Sequence, residues 1–207
     1  MALTAIWYYT NLPEEVVSLI EKGLTESYDK KLESSRLYDD RINVDKRSST
    51  SAWVPTSEWI GGFLWHYIMR ANRENFLYDL TQIDGESMQY TRYGEGEHYD
   101  WHTDAGISTF SKPNASNHHN VDAKIGDFLT AGTEMVRKLS FVLQLSGPDD
   151  YEGGNLQLMD ESGRSIVAPR LRGSMILFDA RTPHRVRKVR SGVRKSLVGW
   201  TVGPRWK

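Results

Sequence analysis

Seven consecutive residues, His98-Tyr-Asp-Trp-His-Thr-Asp104, carry two imidazoles and two carboxylates in His-x-Asp order. On an extended strand, residues i and i+2 project to one face, so each pair can offer a nitrogen and an oxygen to a single cation. Both His98/Asp100 and His102/Asp104 satisfy that spacing, and spacing does not choose between them. A further donor must come from the remaining histidines, His66, His118, His119 and His184. His184 follows Thr-Pro at the start of a strand-like run, and Arg194 stands ten residues later. Two imidazoles and one carboxylate on one face of an ion leave three positions open, a pattern associated with non-haem Fe(II) chemistry. A guanidinium at a set distance could then anchor a carboxylate-bearing cosubstrate through a bidentate pair. Spacing alone equally fits polar residues on a solvated strand.

Composition narrows the alternatives. The 207 residues contain no cysteine, which excludes a disulfide scaffold, thiolate zinc fingers, iron–sulfur ligation and thiol catalysis. Any metal must be held by nitrogen and oxygen. With 39% hydrophobic and 26% charged residues the chain can fill a core, and its length suits one domain. Its net charge of -1 sets up no whole-protein field that would recruit nucleic acid. The opening residues lack a basic region and a long apolar run, and nowhere do 18 apolar residues follow one another. The expectation is a cytoplasmic protein with no membrane partner.

The elements that would position these residues change in character along the chain. Pro13, Glu14 and Glu15 suit a helix start, and Val16, Val17, Ile20 and Leu24 share one face. Ser57–Asn75 reads as a second helix through Ile60, Phe63, Leu64, Tyr67, Ile68 and Ala71. Gly61-Gly62 weakens it by about 1 kcal/mol per glycine, which points to a close packing contact. Between the two, Ser27–Ser51 reads as a polar surface segment. Trp53, Trp59 and Trp65 are expected to pack against helices. From Met88 onward, short strands are expected at Met88–Tyr93, His98–Asp104, Lys138–Leu145, Leu156–Met159, Gly173–Asp179, His184–Val189 and Arg194–Val202. Leu139, Phe141, Leu143 and Leu145 alternate with Ser140, Val142 and Gln144, as on a half-buried strand. The class is therefore α+β, with helices packed outside a barrel or two-sheet β core. Ala105–Met135 is too long for a minimal connection and is expected to form a lid. His118-His119 within it read as loop residues.

Several motifs in order carry a resemblance to a known family. Tyr93-Gly-Glu-Gly-Glu-His-Tyr99-Asp-Trp-His102-Thr-Asp104 resembles the Tyr-Gly-x-Gly-x-x-Tyr-x-x-His-x-Asp run of the prolyl 4-hydroxylase-like Fe(II)/2-oxoglutarate oxygenases. Arg137-Lys-Leu-Ser140, Tyr151-Glu-Gly-Gly-Asn-Leu156, His184-Arg-Val186, Gly192-Val-Arg194 and Leu197-Val-Gly-Trp200 continue it in the same order. The resemblance spans about Met88 to Trp200. It implies a double-stranded β-helix (jelly-roll, cupin-like) core with flanking N-terminal helices. The expected organisation is a single oxygenase domain over 1–207, with helical support in 1–86 and the jelly roll in 87–204, interrupted by the 105–135 insert.

The family's tyrosine stands three residues before its metal histidine, as Tyr99 does before His102. The resemblance thus implies His102, Asp104 and His184 as Fe(II) ligands. It likewise implies Arg194 as the partner of the distal carboxylate of 2-oxoglutarate, assisted by Tyr93 and Ser196. Alternation puts Arg194, Ser196 and Val198 on one face and Lys195 on the other. Gln144 could reach the same pocket but reads as structural. The implied reaction is hydroxylation of a C–H bond with Fe(II), 2-oxoglutarate and O2, releasing succinate and CO2, with ascorbate sustaining activity. A prolyl residue of a peptide or protein is the first substrate, and a free amino acid or other small molecule stays open. So do a non-oxygenase metal-binding sandwich and a nucleic-acid-binding module. Arg181, Arg185, Arg187, Lys188, Arg190, Arg194 and Lys195 form a basic run that suits phosphate binding or a charged hairpin edge, and the edge is preferred. Arg185 and Lys188 replace the acid and proline frequent in the family, so that edge departs from the pattern.

Overall fold

The computed structural model describes residues 7–37, 42–106 and 135–205. Its strands are β1 (Trp7–Asn11), β2 (Glu33–Ser34), β3 (Arg47–Ser48), β4 (Thr50–Pro55), β5 (Gln82–Ile83), β6 (Ser87–Tyr93), β7 (His98–His102) and β8 (Met135–Gln144). They continue with β9 (Tyr151–Gly153), β10 (Leu156–Met159), β11 (Ser165–Val167), β12 (Ser174–Asp179), β13 (His184–Val186), β14 (Val189–Gly192) and β15 (Arg194–Pro204). Helix α1 (Glu14–Tyr28) follows β1, and α2 (Trp59–Ala71) follows β4.

The alternation in β8 explains the layering. Leu139, Phe141, Leu143 and Leu145 pack on Val17, Ile20 and Leu24 of α1 and on Ile60, Leu64 and Ile68 of α2. Val142, on the opposite face, joins Ile176, Phe178, Leu156, Leu158 and Val186 between two sheets. Ser140 and Gln144 share that inner face and are fully buried, so they must find polar partners there. The major sheet runs β1-β12-β8-β15-β6-β4-β2, with β5 added to β15, and the minor sheet runs β11-β10-β13-β7-β3. Among the described residues every strand pairing in these two sheets is antiparallel. Two facing antiparallel sheets with helices outside one of them make the α+β jelly roll expected from the sequence.

Several expectations shift at their edges. The strand expected at His98–Asp104 ends at His102, because the amide of Asp104 turns away to bond the Ala180 carbonyl at 2.9 Å. His184–Val189 divides into β13 and β14, with the register broken between His184 and Val186. Helix α2 begins at Trp59 and closes in a single π turn over Asn72–Phe76. Of its glycines only Gly61 is a close approach, since a Cβ there would lie 2.3 Å from the Thr56 carbonyl oxygen. The segment read as polar surface, Ser27–Ser51, in fact contributes β2, β3 and the start of β4, and its Arg47 and Ser49 are buried. Its side chains hid the pattern: β4 offers only Ala52 and Val54 to the core. Trp65 packs against the helical core as expected, whereas Trp53 and Trp59 are half exposed. His118, His119 and nearly all of the expected lid lie outside the described residues. Among the described residues no helix is long and apolar enough to cross a membrane.

Candidate metal centre and anion pocket

Register places the first two donors. His102 ends β7, His184 begins β13, and the two residues are paired directly across the ladder. Their rings stand 4.1 Å apart between centroids. Asp104 lies two residues beyond β7, held by its amide bond to Ala180 and by Ser140, whose hydroxyl donates to Oδ2 at 2.6 Å. Asp104 Oδ2 is then 3.3 Å from His184 Nε2, and Oδ1 is 3.7 Å from His102 Nε2. One ligand atom from each of the three residues lies within 4.8 Å of the others.

The rings are oriented from behind. His102 Nδ1 is 2.8 Å from the Asp100 carbonyl oxygen, and His184 Nδ1 is 3.0 Å from that of Thr182. A carbonyl only accepts, so each Nδ1 carries the proton and each Nε2 lone pair faces the gap. Tyr99 stacks on His102 at 3.5 Å and 14°, and Phe178 meets His184 edge-on at 4.7 Å. Burial and the neighbouring His184 press the His102 pKa down to about 4. Burial alone would raise the Asp104 carboxyl, but His184, aided by Ser140, holds it well below the usual carboxylate range. Burial likewise opposes the charge on His184, and the Asp104 carboxylate outweighs it and raises that pKa. A cation therefore meets an ionised oxygen and a neutral imidazole, a nitrogen–oxygen set that suits Fe(II).

A second feature lies deeper on the same inner face. Arg194, the first residue of β15, is 1% exposed. Its register partners are Tyr93 on β6 and, through Ser196, Gln144 on β8. Nη2 donates to Gln144 Oε1 at 2.9 Å and Nη1 to Ser196 Oγ at 3.3 Å, while Nε is buried with no partner. The guanidinium carbon lies 5.6 Å from the Tyr93 ring centroid. Among the described residues Arg194 has no carboxylate partner. A buried cation ringed by neutral acceptors, with no counter-charge among the described residues, is an arrangement that can receive an anion. Lys195 points the other way, to Glu21 at 2.9 Å, as the alternation requires.

The alternative pair is not drawn in. His98 bonds the Asp45 carbonyl through Nε2 at 3.0 Å, and Asp100 is exposed. The sequence assigned no site role to three contributors. Ser140, which holds Asp104, could have been found from the face it shares with Val142. Gln144, read as structural, is the principal acceptor for Arg194. Arg47 lies in the segment taken as surface, yet its guanidinium sits 4.7 Å over the Tyr99 ring and donates to Gln89 Oε1 at 2.7 Å.

Comparison with known proteins agrees with this arrangement. The model of the 2OG-Fe(II) oxygenase superfamily matches residues 88–202. Among curated relatives, a PKHD-type hydroxylase of Parvibaculum lavamentivorans is 45% identical over 62 residues, 30% of this chain and 28% of that protein. One of Crocosphaera subtropica is 33% identical over 137 residues, 64% of this chain and 51% of that protein. The chain thus spans about half or less of the length of these relatives. Among solved structures, a Pseudomonas putida prolyl-4-hydroxylase superposes with a TM-score of 0.65 at 17% identity, over 98% of this chain and 94% of that one. A Trichoplax adhaerens prolyl hydroxylase in complex with a hypoxia-inducible factor peptide fragment gives 0.70 at 17% identity, over 96% and 84%. At that identity the likeness is one of fold.

Proposed function

The chain belongs to the 2OG-Fe(II) oxygenase superfamily, and from that premise we propose that it is an Fe(II)- and 2-oxoglutarate-dependent dioxygenase. Residues 1–207 act as one oxygenase domain that hydroxylates a prolyl residue of a peptide or protein and releases succinate and CO2. His102, Asp104 and His184 hold the metal. Arg194 receives the distal carboxylate of 2-oxoglutarate, with Ser196 and the Tyr93 ring beside it. Bound in this site, Fe(II) supplies O2 activation, with 2-oxoglutarate as the co-reductant.

The observation that carries the reading is Arg194. A fully buried guanidinium with only neutral partners stands on the same sheet face as Ser140, which orients the Asp104 carboxylate. A structural metal site would leave that cation without an occupation. The chain's own residues do the positioning: backbone carbonyls fix both imidazoles, Ser140 fixes the carboxylate, and Gln144 and Ser196 hold the guanidinium fork. The prolyl substrate rests on the two structural neighbours described above, both of them prolyl hydroxylases.

Succinate formation from 2-oxoglutarate under Fe(II), ascorbate and O2 tests the mechanism. The wild type turns over slowly without substrate, His102→Ala loses that turnover, and Arg194→Ala recovers it only at high 2-oxoglutarate. Equal rates in all three proteins would overturn the mechanism. Gain of one oxygen by a proline-containing peptide, read by mass spectrometry, tests the substrate.

A further inference from the structure

Tyr99, whose one face lies on the His102 ring, also lines a cavity of about 130 Å³ with His98, Asp100, Arg185, Arg187 and Lys188. We infer that this cavity is a substrate subsite, and that it takes an acidic side chain of the peptide flanking the residue that is hydroxylated. The inference rests on the peptide-hydroxylase reading above and adds a sequence preference to it.

Charge is the first reason. Three cations, Arg185, Arg187 and Lys188, line the cavity with a single carboxylate, Asp100, so its lining is positively charged. None of the three cations has an ion-pair partner in the described chain. Arg185 donates to the neutral Gln157 Oε1 at 2.7 Å and lies 4.6 Å over the Trp101 ring. Arg187 and Lys188 extend into solvent from the break between β13 and β14. The rest of the basic run is otherwise engaged: Arg181 binds Asp179, Arg190 stands 3.6 Å from Glu152, and Lys195 binds Glu21. Arginine clusters of this kind suit acidic motifs.

Place is the second reason. One aromatic ring separates the cavity from a proposed metal ligand, so a peptide with its target carbon at the metal has neighbouring residues within reach.

The test uses fluorescently labelled proline peptides that differ only in an Asp, Asn or Lys beside the proline, with binding read by anisotropy on the Fe(II)-loaded full chain under argon. The acidic peptide is expected to bind roughly five- to tenfold tighter than its Asn isostere, the scale of two or three exposed ion pairs. The preference shrinks as salt rises. Arg187→Glu/Lys188→Glu abolishes or inverts it, Arg187→Lys/Lys188→Arg retains it, and circular dichroism verifies that both variants are folded. Equal binding of the three peptides, or a preference that survives the charge reversal, overturns the subsite. So does duplex DNA binding tighter than every peptide and lost in the reversed variant. An intact acidic preference without oxygen gain by any peptide supports the subsite while refuting the prolyl reading.

Discussion

Gln144→Glu separates the two roles assigned to the Arg194 pocket, because stability and cosubstrate affinity should move in opposite directions. The substitution is nearly isosteric and adds one negative charge where Oε1 now accepts from Nη2 at 2.9 Å. At an effective dielectric near 20 and about 4 Å between charge centres, the gross attraction to the guanidinium is about 4 kcal/mol. Desolvating the new carboxylate consumes much of that, leaving about 1–3 kcal/mol in favour of the folded chain. For a protein of this size that raises Tm by roughly 2–12 °C. The distal carboxylate of 2-oxoglutarate would share the same guanidinium about 5 Å from the new charge. The repulsion there is about 3 kcal/mol, or roughly a 100-fold weaker Kd. Thermal denaturation of the metal-free protein gives the first quantity, and anaerobic calorimetry of 2-oxoglutarate on the Fe(II)-loaded protein gives the second. Gln144→Leu, which removes the acceptor without adding charge, should instead destabilise by about 1–3 kcal/mol. An unchanged Kd in Gln144→Glu would refute the assignment of Arg194 to the cosubstrate, whatever happens to Tm.

Ser140→Ala removes the 2.6 Å hydrogen bond to Asp104 and should weaken Fe(II) or Mn(II) binding by about 10–100-fold, measured by metal titration. Gly153→Ala meets both a φ of +74° and a Cβ position 2.4 Å from the Lys188 carbonyl oxygen, so it should cost more than about 2 kcal/mol in urea denaturation. An alkaline stability limb should come from Tyr78 and Tyr90, whose pKa values burial and nearby aspartates push up from 10.0 to about 12. The folded chain holds these protons more tightly than the unfolded one, so their contribution is complete below about pH 10 and is lost as pH rises toward about 12. Tm measured from pH 9 to 12 should fall less steeply in Tyr90→Phe, and an identical slope would count against this account.

Much of the site was legible from local pattern. A two-residue period puts His102 with Asp104, and Arg194 with Ser196 but not Lys195, because alternation is a property of any extended strand. Glycine punctuation and the Leu139–Leu145 alternation placed the strands of the core, while helical spacing placed α1 and α2. Two-residue spacing could not select His102/Asp104 over His98/Asp100, since the two pairs are chemically identical; only the resemblance, through Tyr99 three residues before His102, pointed to one of them. That choice belongs to the ladder that sets His184 opposite His102, and to the Asp104–Ala180 bond that bends the chain after β7. The same limit hid the roles of Ser140 and Arg47 and left Gln144 reading as structural, since each acts on a residue from a distant segment: Asp104, Tyr99 and Arg194. It also hid β4, a short Thr-Ser-Ala-Trp-Val-Pro run that pairs along its whole length with β6. Strand registry between distant segments is set by the packing of whole sheets, and a one-residue slip would turn every one of these side chains to the wrong face. Residue types thus determined which chemistry the chain can perform, and the tertiary fold decided which copies of those residues meet.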